Sequence, residues 1–252
     1  MGWYILLSWF NTLRSHLKLH FFFLFAFSCG LLGAATATAP DAIVQSYWAA
    51  AQQQERAWQG ASMEVDIHAS LPKLKKHGRL HALRRISRLG RITYEVLGFE
   101  GDNSVKNDVI AKYLAAEAEA QSQGSESFAV TPLNYKFKYK GVLEHGAQTV
   151  QVFEVAPRRK RVGLFKGEIW IDANTFLLVR ESGRLVKPPS IFLKKIEFVR
   201  EFEIQGGVSV PRQLHTVADT RLVGPAELTI DFQNVSLSEG PRQASLVDVD
   251  EQ

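Results

Sequence analysis

After Gly60 the chain changes period: Met63, Val65, Ile67 and Ala69 alternate one by one with Glu64, Asp66, His68 and Ser70. The same rhythm returns where Tyr135, Phe137 and Tyr139 alternate with Asn134, Lys136, Lys138 and Lys140. Successive side chains of a β-strand point to opposite faces, so each such segment is apolar on one side and polar on the other. Further strand candidates are 79–87, 91–99, 148–156, 166–172, 176–186, 193–205, 208–221 and 226–237. Turn sequences such as Asp172-Ala-Asn-Thr175 and Gly206-Gly207 bring neighbours close enough for antiparallel hairpins. About ten one-faced strands need cover on their apolar side. The expected fold is therefore α+β, a strongly curved antiparallel sheet wrapped around helices.

Two helical segments can supply that cover. Pro40 to about Gln59 opens with proline and aspartate, is rich in alanine and glutamine, and sets Ile43, Tyr47, Ala50 and Ala51 on one face. Ser104 to about Gln121 interrupts the strands, and its stripe of Val105, Val109, Ile110, Tyr113, Leu114 and Ala118 has to lie on the sheet. The alternation is compatible with a solid core and with a lipid-sized cavity.

Ahead of these elements, Arg14, His16, Lys18 and His20 lead into the apolar run Phe21 to Ala34, followed by Ala35-Thr-Ala-Thr-Ala39-Pro40. This is the order of a secretory signal. The run is well short of the ~20 residues of a spanning helix, although a retained anchor is the alternative. Proline is unfavourable directly after a cut, which places cleavage after Ala37 and the mature start near Thr38. Met1 to Phe10 are unusually apolar for the start of such a signal. The expected organisation is a signal peptide at 1–37, a folded domain at 38–240 and a polar tail at 241–252, in a periplasmic or otherwise exported protein. Cys29 is the single cysteine, and the bulky Phe27 before it argues against lipid attachment. Once it is removed, disulfides, zinc–thiolate sites and a cysteine nucleophile are excluded.

Signatures of chemistry are sparse. The sequence has no Gly-x-Ser-x-Gly elbow and no glycine-rich phosphate loop after a strand, so hydrolase and nucleotide-binding readings lose their support. His77 and His81 are four apart, but Arg79 lies between them and a third ligand is not evident. Glu197, Glu201 and Glu203 alternate with apolar residues and read as a solvated face. The expectation is a protein without enzymatic activity, cofactor or metal. Charge is local: the formal net charge is +4, yet 72–91 holds eight basic residues and no acidic one. Residues 158–200 carry eleven basic against four acidic, and 225–252 carry six acidic against Arg242 alone. Basic stretches of this kind suit an anionic membrane surface or an acidic protein partner, while export disfavours nucleic acid. A solvated basic strand face is the plainer alternative.

The order of signal, helix, strands and helical insertion, together with the hairpin from Gly167 through Trp170 and Asp172 to Arg180, Phe198, and the Val208-Ser-Val-Pro211 strand, resembles the LolA-like family of periplasmic lipoprotein carriers and lipoprotein-sorting proteins. The resemblance covers most of 40–238. It implies an incomplete β-barrel with a helical lid whose inner surface holds acyl chains.

Four strands should supply that inner surface through their apolar phase. They contribute Ile92, Tyr94 and Val96; Tyr135, Phe137 and Tyr139; Phe198 and Phe202; and Leu228, Ile230 and Phe232. Arg200 interrupts the apolar phase of Ile196, Phe198, Phe202 and Ile204, which aims a guanidinium at the concave side. There it needs a carboxylate or several carbonyls, and the lid helix is the nearest supplier. A bulge that turns it to solvent, beside Glu201 or Glu203, is the alternative. The resemblance implies an internal arginine that holds the lid. The functional expectation is an exported carrier or sensor of lipid or lipoprotein acyl chains. The alternative is a filled-core module of the same fold that binds a partner protein.

Overall fold

The computed structural model describes residues 39–122, 128–189, 192–221 and 223–237. The expected signal peptide and the expected tail lie outside the described residues. Helix α1 spans Pro40–Gln54. Proline at its start loses no hydrogen bond, and Asp41 in the first turn complements the helix dipole. A 3-10 turn, Glu55–Trp58, continues it.

Ten strands follow: β1 (Ser62–Leu71), β2 (Lys76–Ile86), β3 (Ile92–Gly101), β4 (Tyr135–His145), β5 (Gln148–Pro157), β6 (Phe165–Asp172), β7 (Leu178–Leu185), β8 (Leu193–Gln205), β9 (Val208–Thr220) and β10 (Pro225–Ser236). Between β3 and β4 lies the helical insertion, made of α2 (Asn103–Val105), a π turn (Lys106–Ile110) and α3 (Ala111–Ser122).

The strands form one antiparallel sheet in the order β3-β2-β1-β10-β9-β8-β7-β6-β5-β4. The pairing of β1 with β10 is the step that departs from chain order, with Ile67 opposite Ile230. Strands β3 and β4 remain as free edges, so the barrel is incomplete and the sheet open. Both edges are bulged, β3 against His81/Ala82 and β4 between Tyr139 and Gly141. A bulged edge twists away from further pairing. In chain order the insertion joins the two edge strands, and it packs on β1, β2, β3 and β10.

Inside the sheet, Gly167 of β6 faces Gly183 of β7. A Cβ on Gly167 would lie 1.9 Å from the Ser182 carbonyl oxygen, and one on Gly183 would lie 2.5 Å from that of Lys166. Only glycine permits so close an approach, which marks a tight bend in the sheet. At the next turn Asp172 Oδ1 accepts from Asn174 N (3.1 Å), Thr175 N (2.7 Å) and Thr175 Oγ1 (2.8 Å). The acidic residue thus satisfies the backbone of its own hairpin.

The apolar face divides into two clusters. In the first, Met63, Val65, Ile67, Leu80, Leu228 and Ile230 lie under Val105 and Ile110 of the insertion. In the second, Ile43, Val44 and Tyr47 of α1 lie on Tyr135, Phe153, Phe165, Ile169 and Ile171. Phe198 packs against both. Each fully buried side chain of this size contributes ~1.5–3 kcal/mol relative to exposure, so each helix is held chiefly by the stripe it buries.

Candidate functional site

The alternation of β2 runs Gly78, Leu80, Ala82, Arg84, and the arginine falls on the buried phase. Its cross-strand neighbours are Met63 on β1 and Tyr94 on β3. Above it, Ile110, Tyr113, Leu114 and Glu117 follow i, i+3, i+4, i+7 spacing, so the helix presents a carboxylate on its otherwise apolar stripe. Arg84 Nη2 donates to Glu117 Oε1 (3.0 Å) and Arg84 Nε to Tyr94 Oη (3.2 Å). Tyr94 Oη in turn donates to Glu117 Oε2, and Arg84 Nη1 lies 3.6 Å from Met63 Sδ. One carboxylate of the insertion is thus held by donors from two strands.

The environment fixes the charge states. Burial, reinforced by Glu117, raises the Tyr94 and Tyr113 phenols well above their ordinary value, so both stay neutral. Burial alone would lower Arg84, but Glu117 and Tyr94 outweigh it and hold the guanidinium above its ordinary value.

A second ion pair faces the same side. Arg200 of β8 lies opposite Glu181 of β7 and Leu214 of β9. Arg200 Nη1 donates to Glu181 Oε1 at 2.5 Å. The Glu181 side chain is 8% exposed and that of Arg200 40%, so the carboxylate is sealed beneath a part-buried arginine. Burial disfavours the Arg200 charge, while Glu181 foremost, then Tyr113 and Glu117, raise it. Arg200 also stands 6.0 Å from the centroid of Phe198, the ring shared by the two clusters. Burial raises the Tyr47 phenol of α1, and Glu181 adds to the rise. Polar groups from β2, β3, the insertion, β8, β7 and α1 therefore form a charged seam across the concave side.

Arg200 does face the concave side and does meet a carboxylate, as its place in the alternation requires. That carboxylate comes from the neighbouring strand rather than the lid helix, and it is Arg84 that bonds the insertion. Arg200 bonds Glu181 rather than Glu201 or Glu203, and Glu201 approaches Arg212 (3.9 Å).

The other residues expected on the inner surface separate. Tyr94, Leu228, Ile230 and Phe232 belong to the first cluster and Tyr135 and Phe137 to the second. Ile92 is buried, Phe202 is half-buried beside the bulge at Glu201/Phe202, and Val96 and Tyr139 on the edge strands are exposed. Tyr135 Oη accepts from Phe165 N (3.3 Å), and burial pushes the phenol up to about 12. Among the described residues a pocket of about 220 Å³ opens between α1 (Ala50, Gln54) and the ends of β7 and β9 (Leu177, Val208), away from the seam.

Sequence reasoning passed over Arg84, Glu117 and Glu181. Arg84 is hidden inside a basic run, but its position in Leu80-x-Ala82-x-Arg84-x-Ile86 carries the same signal that exposed Arg200.

No family model and no curated protein matches the chain. Solved structures similar to it include a DUF1329 family protein from Desulfovibrio piger, at 11% identity and TM-score 0.40 over 79% of this chain and 93% of that one. A LolA superfamily protein from Nitrosomonas europaea is 12% identical with TM-score 0.35 over 79% and 94%. An outer membrane lipoprotein-sorting protein domain from Vibrio parahaemolyticus is 10% identical with TM-score 0.40 over 80% and 93%.

Proposed function

We propose that this chain is an exported, non-enzymatic carrier or sensor of apolar ligands, lipid or lipoprotein acyl chains, that takes them against its concave face when the insertion moves aside. The observation that supports this reading is the latch. A helical insertion that lies over β1, β2, β3 and β10 is tied to them through Glu117 to Arg84 and Tyr94, over a stripe of apolar contacts. Moving Val105, Ile110, Tyr113 and Leu114 off the sheet costs ~1.5–3 kcal/mol each. A 16-carbon chain offers on the order of 12 kcal/mol at ~0.8 kcal/mol per CH₂, before ordering costs. The two are of similar size, so loading and release are reversible. Arg200, part-exposed beside Phe198, is placed to meet a polar head at the seam. The secretory order of the amino terminus supports export.

One observation favours the second reading, a filled-core module that offers its surface to a partner protein. The pocket of about 220 Å³ is smaller than the ~300–1,000 Å³ of common ligand clefts. Titration with an apolar naphthylamine fluorophore separates the two. A carrier binds the probe, binds it more tightly when Glu117→Gln loosens the latch, and loses it with Phe198→Asp. A filled-core module leaves the probe unbound in parent and Glu117→Gln alike.

A further inference from the structure

Antiparallel topology sends alternate connections to opposite ends of the sheet, and the two ends differ sharply in charge. At one end lie the β1–β2 turn (72–75), the approach to β4 (131–134), and the β5–β6 (158–164), β7–β8 (186–192) and β9–β10 (221–224) connections. Together they hold eight Lys or Arg and no Asp or Glu. The connections at the other end, 87–91, 146–147, 173–177 and 206–207, hold two basic residues.

The basic connections form one continuous rim. The side chain of Lys73 lies against Gly224, where an added Cβ would come within 2.4 Å of it. Arg221 N donates to Phe192 O (2.9 Å), Val186 N to Leu164 O (2.9 Å) and Arg158 N to Asn134 O (2.8 Å). The rim also carries large apolar side chains turned to solvent: Leu74, Leu133 (75% exposed), Val162 and Phe192 (57%). Asp102, at the exit of β3 on the same side, adds one carboxylate, which accepts from His77 N (3.3 Å).

From this placement we infer that the basic end of the sheet docks on an anionic lipid surface, its lysines and arginines on headgroups and its exposed leucine, valine and phenylalanine in the acyl boundary. Cations near an anionic bilayer are attracted individually and additively, and isolated apolar tips insert where a protein partner would need one continuous apolar patch. Four apolar tips on four separate connections, along a rim whose connections hold eight basic residues, match the bilayer better than an acidic protein. The inference goes beyond the latch and does not rest on the concave face holding a ligand.

The test is flotation of the full chain with vesicles of phosphatidylcholine alone or of equal parts phosphatidylcholine and phosphatidylglycerol. The amino-terminal run, with Arg14 and Lys18 ahead of it, is the same in every variant and cancels in the comparison between variants. The parent should prefer anionic vesicles, with affinity falling as salt rises. The triple variant Arg159→Gln, Lys160→Gln, Leu133→Ser should lose at least tenfold. The matched triple at the opposite end, Arg88→Gln, Arg91→Gln, Leu89→Ser, removes the same charge and a leucine that is 97% exposed, and should stay within threefold of the parent. Leu133→Ser alone should weaken binding several-fold. Equal binding to both vesicle types, or an equal loss from the two triples, would overturn the inference. A tenfold loss from the triple with none from Leu133→Ser alone would overturn the insertion of the apolar tips and leave only attraction between charges.

Discussion

Replacing Glu117 by leucine removes the carboxylate that Arg84 and Tyr94 share. The Arg84 side chain is 10% exposed and that of Glu117 24%. Leaving one partner of a fully buried pair uncompensated costs ~3–5 kcal/mol. Because water reaches the carboxylate side of this pair, a discounted figure of about 2–3 kcal/mol applies to Glu117→Leu, and a similar one to Arg84→Met. The double variant replaces both charges with apolar groups of comparable length and should lie within about 1 kcal/mol of the parent, a coupling of about 3–5 kcal/mol. For a domain of this size each kcal/mol moves the melting temperature by about 2–4 °C, so the single variants should melt roughly 4–12 °C lower. Urea titration gives the free energies if the slope is unchanged, and amide exchange within 111–118 reads the loosening of the insertion itself. Single variants within 0.5 kcal/mol of the parent, or effects that simply add in the double variant, would refute the latch.

Three further outcomes follow from the same geometry. Gly167→Ala drives a methyl into the Ser182 carbonyl at 1.9 Å and should cost about 3 kcal/mol or more by thermal melting; a loss under 1 kcal/mol would show that the bend relaxes freely. On the outward face, Arg79 hydrogen-bonds Asp66 and holds its carboxyl below the ordinary value near ~3.9. A depressed folded-state pKa stabilises above the unfolded value and is lost as pH falls through the folded one, so the stability gap between the parent and Asp66→Asn should be present at pH 7 and close below about pH 4; a gap independent of pH contradicts this. Arg200→Leu strands Glu181 and should lower stability by about 2 kcal/mol with little effect on amide exchange within 111–118, since the arginine bonds β7 and not the insertion; faster exchange there would make it a second latch.

Alternation carried most of the fold. Both helices and all ten strands are legible within a few residues, because period two and the i, i+3, i+4 stripe are local properties that neighbouring elements reinforce. Strand order is different: nothing local in β1 or β10 announces that the first strand pairs with the last, since both simply offer one apolar face. Arg200 was legible because it breaks a long apolar phase by itself. Arg84 breaks one too, but among Arg79, Arg85 and Arg88 it reads as part of a charge run. Glu117 escaped for a geometric reason. Counted from Ile110, Glu117 at i+7 falls on the buried stripe, whereas Ala118 at i+8 lies at its margin and is exposed. The division of the interior into two clusters is a property of packing that no single strand encodes.

The claim that most needs testing is that the concave face takes up acyl chains. Organic extraction and mass spectrometry of the protein purified without detergent tests it directly, with Phe198→Asp prepared in parallel. The account predicts lipid at close to one molecule per chain from the parent and its loss from the variant; a parent that yields no lipid, and takes none up when incubated with vesicles, would contradict it.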